Sequence, residues 1–361
     1  MFVRYPGDIG ARTLTRCLAR TYGLFLLGPP QPLRRARLAA VWRVRTPTRA
    51  LIAKLFPAGV DDDVELEADL LEYLRANAMR VPHVFPTHAG ARLGAIAGRA
   101  WPRLRREHYP IMLTSFAEGR RVYPGSVTRE ELVAVAGAIG RMHTTLQAYP
   151  RRGRVRRIER EAPRRETFAD LLRSPNAAHF GHRELAHWQG VDRLLQEAAT
   201  QAPSGGLTES VLHGDLGLEH VRFLASSADA EAVQLFDFSD YAWGPVVFDL
   251  AAMLSRLYWE HDITPIRWER LRAWLLEGYA STFALTHADE RALDGALLER
   301  LMIEIRYLTD VSLRTRAPFQ PDGIRRRYAL VEHMLRRRAR RAGVAWAAAV
   351  RRGGSPEPLT G

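Results

Sequence analysis

The chain has 361 residues, 47% of them hydrophobic and 26% charged, with a formal charge of +13. These values describe an ordinary core-forming chain long enough for two packed domains, and they exclude a disordered, collagen-like or fibrous protein. No apolar run approaches the roughly 18 residues a membrane-spanning helix needs, and the single cysteine, Cys17, excludes an internal disulfide or a multi-cysteine zinc site.

The expected setting is the cytoplasm, with no membrane partner and nucleic acid disfavoured. The basic excess is almost wholly arginine: Lys54 is the only lysine among 53 Lys and Arg, and asparagine occurs only at 77 and 176. That bias belongs to the whole composition, so the charge is weak grounds for a polyanion partner. It poses a sharper question, which is what Lys54 does that arginine cannot.

In chain order, Leu38 to Phe56 reads as a hairpin of two apolar, β-branched runs around Thr46-Pro47-Thr48, with Lys54 on its second strand. Asp61-Asp62-Asp63 supplies negative charge for a helix start, and the period from Val64 to Ala76 turns Glu67, Leu71 and Leu74 to one inward face. Leu93 to Ile96 and Ile111 to Phe116 complete a small sheet, and Ser115 to Gly119 forms a connector. From Thr128 the pattern turns helical, opened by a capping box of Thr128 and Glu131. Further helices are expected at 167–173, 183–199, 249–258, 268–283, 289–309 and 323–341, with a basic insert at 151–165. Residues 353–361 read as a disordered tail, and the arginines of 336–341 as a solvated helix face.

The densest chemistry lies in Val211 to Asp249. An apolar approach ends in the exposed acid of His213-Gly214-Asp215, and two short strands, 221–224 and 232–236, run into Asp237-Phe238-Ser239-Asp240. A hairpin there places Asp215, His220 and Asp237 at one end. Such a cluster suits a metal and a hydroxyl substrate, with one carboxylate to deprotonate the alcohol and two ligands for cations on phosphates.

These motifs resemble the aminoglycoside phosphotransferase and choline kinase family, relatives of the protein-kinase fold. His213 to His220 is similar to the family's H-G-D-x-x-x-x-N, and Phe236 to Ala251 to its I-D-F-x-x-x-x-x-G-x-x-x-x-D-L-A; Ala136 to Leu146 matches a helix ending in L-H-x-x-L. The resemblance implies an α+β, two-lobed kinase-like fold, with a small N-terminal sheet lobe carrying one main helix and a larger, mostly helical C-terminal lobe. The expected divisions are 1–114 for the nucleotide-binding lobe, with 1–35 an accessory segment, and 115–352 for the catalytic and substrate lobe.

By the same resemblance, Asp215 is the catalytic carboxylate and Lys54, paired with Glu67, holds the nucleotide's phosphates. Ser115, Phe116 and Ala117 receive the base, and His220 and Asp237 hold the metal. His213 and Asp249 brace the loop, and Asp240 is a candidate substrate contact. The implied cofactors are ATP or GTP with Mg²⁺, or Mn²⁺ because His220 stands where the family has Asn. The expected activity is transfer of a γ-phosphoryl group to a hydroxyl of a small molecule: an aminoglycoside-like antibiotic, a sugar or a metabolite alcohol. A polycationic acceptor calls for an acidic pocket, for which Glu118, Asp240, Glu260, Asp262, Glu304 and Asp310 are the candidates. A protein Ser/Thr kinase and a nucleotide-binding pseudokinase scaffold are the alternatives. A second departure is that no glycine occurs between Gly28 and Gly59, so the turn expected over the nucleotide lacks a glycine-rich backbone.

Overall fold

The structure is a computed structural model that describes residues 9–35, 39–100, 105–158, 167–200, 205–224, 230–258, 263–314 and 319–341. The tail expected from 353, Glu260, Asp262 and part of the basic insert lie outside the described residues. The chain forms two compact units, each assembled from separated segments. The first comprises Met1–Arg121, Thr144–Val155 and His220–Tyr241; the second comprises Val122–His143, Arg156–Glu219 and Ala242–Gly361.

The first unit holds α1 (Ala11–Tyr22), β1 (Gln31–Arg35), β2 (Ala40–Arg45), β3 (Ala50–Leu55), α2 (Asp61–Ala76), β4 (Leu93–Ala100) and β5 (Arg105–Ser115). The strands form one antiparallel sheet in the order β1-β2-β3-β5-β4. The expected hairpin is β2 and β3, with Val41 opposite Lys54. Its turn is closed by Thr46, which donates its amide and hydroxyl to the Arg49 carbonyl and accepts the Arg49 amide on Oγ1. Side-chain bonding thus does the work that glycine does in other turns.

The pleat decides what each residue of β3 can do. Leu51, Ala53 and Leu55 join Leu14, Leu18 and Tyr22 of α1 in one buried cluster, so Lys54, one residue out of phase, leaves from the opposite face. Residues 11–22, for which the sequence reading offers no element, are therefore part of this core. The Tyr22 hydroxyl donates to the Ile111 carbonyl at 2.8 Å and accepts the Gly94 amide at 2.9 Å. On α2, Val64, Glu67, Leu71 and Leu74 are all buried, as the 3.6-residue period requires.

The second unit is helical. It contains most of α3 (Arg129–Gln147), then α4 (Thr167–Arg173), α5 (His182–Thr200), α6 (Val247–Leu257), α7 (Pro265–Ala280), α8 (His287–Arg314) and α9 (Pro321–Arg341). The capping box that opens α3 is reciprocal, the Thr128 amide donating to Glu131 Oε2 and the Glu131 amide to Thr128 Oγ1. A second cap, Thr264 accepting the Arg267 amide, moves the start of α7 three residues ahead of the expected Trp268. On α9, Arg336 pairs with Glu332 and Arg337 with Glu269. Among the described residues no helix is long and apolar enough to cross a membrane.

The described residues include four further strands: β6 (Glu209–Leu212), β7 (Val221–Phe223), β8 (Val233–Leu235) and β9 (Ala242–Pro245). β6 pairs with β9 in the second unit, and β7 with β8 in the first.

Candidate active site

The candidate residues fall into two clusters, one in each unit. The first is centred on Lys54, which is only 8% exposed. Its Nζ donates to Glu67 Oε1 at 3.2 Å, to Asp237 Oδ1 at 2.9 Å and to Ser239 Oγ at 3.0 Å. Burial alone would lower the ammonium pKa, but the two facing carboxylates more than reverse this and hold it above its ordinary value. Glu67 answers in the opposite sense: burial raises its pKa, and the Lys54 charge offsets only part of that rise.

Asp237 is the most strained of these residues. Its φ of 70° lies in the left-handed region, shared among the described non-glycine residues only by Ala78. The strain is held by its surroundings, since Phe238 is buried at 1% exposure and Ser239 Oγ donates back to Asp237 Oδ1 at 2.8 Å. The charge of Lys54 pulls the Asp237 pKa well below the usual carboxylate range. His220 ends a short 3-10 turn before β7, and its Nε2 lies 3.8 Å from Asp237 Oδ2. The Phe236 amide donates to the His220 carbonyl across the β7–β8 hairpin, which brings the two residues together.

Asp240 is exposed on the next turn. In the expected base-binding segment, the Ser115 amide donates to His83 and the Phe116 amide to Ala50, and the Arg43 guanidinium lies over the Phe116 ring. Two of the three segment amides are thus already engaged.

The second cluster surrounds His213-Gly214-Asp215. Asp249, on the first turn of α6, accepts the His213 amide at 2.7 Å and the Gly214 amide at 2.9 Å. Gly214 turns the loop with φ 83°. His143 Nε2 lies 3.0 Å from Asp249 Oδ2, and its Nδ1 lies 2.7 Å from the Tyr279 hydroxyl. A carboxylate can only accept, so Nε2 donates to Asp249. Burial raises the Asp249 pKa, yet the His143 bond and the loop's own donors win and leave it lowered. The loop is therefore pinned from behind by an ionised acid.

Asp215 differs from the exposed acid that the sequence predicts. Its side chain is half-buried, and Oδ1 accepts from Arg256 Nη2 on α6 and, at 3.2 Å, from Arg300 Nη2 on α8. Sequence reasoning missed both arginines, as it missed Ser239 and Tyr279. Arg256 stands seven residues after Asp249, two turns along the same helical face, and this spacing was the one available signal. Among the proposed acidic-pocket residues of this unit, Glu304 is buried against Arg300 and Arg327, and Asp310 lies 4.0 Å from Arg306. In a chain this rich in arginine, those acids serve as counter-ions.

Comparison with known proteins follows the same lines. The chain is similar to a homoserine kinase of Methylobacterium nodulans, 28% identical over 207 residues, which cover 56% of each protein; the match thus spans little more than half of that relative. Among solved structures it resembles an amicoumacin kinase in complex with AMP-PNP, Ca²⁺ and Ami (TM-score 0.66, 18% identity, 90% of this chain and 93% of the other). It also resembles a microcompartment-associated aminopropanol kinase (0.64, 16%, 93% and 99%) and a spectinomycin phosphotransferase in complex with ADP and its antibiotic (0.65, 13%, 91% and 98%). These likenesses establish a shared α+β kinase-like fold. The sequence model of the phosphotransferase enzyme family matches residues 31–293, which take in both clusters, and the chain belongs to that family.

Proposed function

We propose that this protein is a kinase that transfers the γ-phosphoryl group of ATP or GTP to a hydroxyl of a small molecule in the cytoplasm. The observation that carries the reading is the lone lysine of the chain, buried and bonded at once to Glu67 and Asp237, residues 13 and 183 positions away. A buried ammonium with two carboxylate partners, next to an acid in a strained backbone conformation, is a costly arrangement. Its return is a preset slot for the phosphates.

In this reading Lys54 binds the α and β phosphates and Glu67 fixes its direction. With the Ser115 and Phe116 amides engaged, base recognition falls to the Ala117 end of the segment. Asp237 and His220 would hold Mg²⁺ or Mn²⁺. They fit such an ion as a pair, since Asp237 stays ionised with its side chain 37% exposed and His220 Nε2 lies 3.8 Å from its Oδ2. Two protein ligands leave the remaining positions to phosphate and water, as Mg²⁺ favours, and the imidazole favours Mn²⁺. When bound, the cation supplies neutralisation of charge on the phosphates.

The acceptor hydroxyl is oriented by Asp215, which takes its proton as the oxygen–phosphorus bond forms. The bond from the γ-phosphorus to its bridging oxygen breaks, and the nucleoside diphosphate leaves with the electron pair. His213 and Asp249 brace the loop that carries Asp215. Asp240, on its exposed turn, is the candidate substrate contact from the first unit.

The test is Asp215→Asn. Phosphoryl transfer should fall by two or more orders of magnitude, as expected when a positioned base is lost, while the nucleotide-induced rise in melting temperature is retained. Transfer at an undiminished rate refutes the assignment of the base.

A further inference from the structure

The surroundings of Asp215 carry a statement about the acceptor, and it rests on the kinase reading above. Two helices of the second unit aim guanidinium groups at a single carboxylate oxygen: Arg256 from α6 and Arg300 from α8 both donate to Asp215 Oδ1. Each arginine is anchored at its far side. Arg256 Nη1 donates to Glu219. Arg300 Nε donates to Glu304 Oε1 at 3.0 Å, and Glu304 is itself held by Ser255 at 2.7 Å and by Arg327 at 2.9 Å. Gly217 leaves the room this needs, since a Cβ there would stand 2.2 Å from Glu219 Oε2 and 2.6 Å from Arg256 Cδ.

We propose that Arg256 and Arg300 bind a carboxylate of the acceptor, and that the substrate is a small hydroxy acid. Three considerations lead there. Two guanidinium groups beside the base offer no acceptor to the ammonium groups of a polycationic amino sugar, and the neighbouring acids that could, Glu219 and Glu304, already serve as their counter-ions, as Asp310 does for Arg306. A guanidinium suits a carboxylate as partner, and one Nη2 donor of each arginine is already aimed at the Asp215 carboxylate. Arg300 keeps donor capacity in reserve: its side chain is 21% exposed, and its Nη1 has no hydrogen-bond partner among the described residues.

The arrangement also links recognition to reactivity. Asp215 Oδ1 is engaged by two guanidinium donors and has little lone-pair capacity left for an acceptor hydroxyl. An incoming carboxylate that takes over these donors frees Asp215 to face the hydroxyl, so the base is released by the acceptor that needs it. Arg256 and Arg300 then act as specificity-determining residues.

The experiment uses the full chain with Mg²⁺ and either ATP or GTP on matched acceptors that differ by the carboxylate: L-homoserine against 3-amino-1-propanol, L-serine against ethanolamine, and 4-hydroxybutyrate against 1-propanol. A polycationic aminoglycoside and a phosphate-bearing alcohol complete the set. The acid of at least one pair should show a kcat/KM tenfold or more above its decarboxylated partner and above both added acceptors. Arg300→Gln should raise KM for that acid at least tenfold with a smaller change in kcat, and Arg300→Lys should restore part of the loss. Equal or faster transfer to the decarboxylated partner, the aminoglycoside or the phosphate-bearing alcohol overturns the carboxylate inference and leaves the kinase reading standing. Nucleotide hydrolysis that no acid stimulates overturns the inference too. Absence of both hydrolysis and transfer overturns the inference together with the kinase reading. The comparison of acceptors on the unaltered protein holds even if the variants fail to fold.

Discussion

Lys54 shows how much a single side chain can depend on its shape as well as its charge. Its ammonium serves three acceptors within 3.2 Å while almost fully buried. A guanidinium is wider and planar, so Lys54→Arg keeps the charge but cannot place one donor group among Glu67, Asp237 and Ser239. Transfer should fall by roughly two orders of magnitude, the scale of losing one preorganised donor where charge develops, and steady-state kinetics checks it. Asp192 on α5 gives a residue-scale prediction about pH. Burial raises its pKa to about 6 against the bond from Gln196. The folded state therefore binds this proton more tightly than the unfolded chain, whose aspartates titrate near 4. Its contribution is most favourable below that value, falls as pH rises from about 4 to about 6, and stays unfavourable above. Asp192→Asn should stabilise the protein by about 2 kcal/mol at pH 8 and by little at pH 4, read from denaturant midpoints at the two values.

At the scale of elements, local signals and tertiary placement divide the work. The capping box of α3 and the acidic start of α2 fix where those helices begin, and the two-residue period of β3 fixes which face Lys54 leaves from. Helix α1 has no comparably strong signal. Its arginines and threonines dilute the apolar face, and what places it is contact with the sheet through Leu14, Leu18 and Tyr22. The Tyr22 hydroxyl is the shortest polar tie in that contact, bonded to β5 through Ile111 and to β4 through Gly94, beside a longer one from Cys17 Sγ to the Ala95 carbonyl of β4. Tyr22→Phe leaves the Gly94 amide and the Ile111 carbonyl without that partner in a buried setting. It should cost about 1–3 kcal/mol of stability, measured by denaturant unfolding.

At the scale of the whole molecule, the notable fact is that neither unit is a continuous stretch of chain. The first unit needs the segment His220–Tyr241, whose β7 pairs with Arg120 through Phe223 and whose Asp237 reaches Lys54. A fragment of residues 1–121 retains the five-stranded sheet but loses this hairpin and leaves Lys54 and Glu67 without Asp237. We expect it to unfold without a cooperative transition, whereas the full chain unfolds cooperatively; calorimetry of both decides. A sharp transition for the fragment would show the sheet to be self-sufficient.

Much of the site was legible because its chemistry is written in short motifs and in one rare residue. The lone lysine, the His-Gly-Asp turn, the Asp-Phe pair and the inward glutamate of α2 can each be read by type and spacing, and the helices follow from period and caps. The surroundings that tune those residues were not legible. Arg256 and Arg300 lie 41 and 85 positions from Asp215 in a chain with 53 basic residues; the spacing of Arg256 from Asp249 is the only trace of either, and no spacing rule picks out Arg300. The strain at Asp237 and the Tyr279–His143–Asp249 support are in the same position. Local bonding patterns repeat within a few residues and leave a trace in the sequence. Long-range pairing depends on how helices pack, and only the folded chain determines which arginine meets which acid.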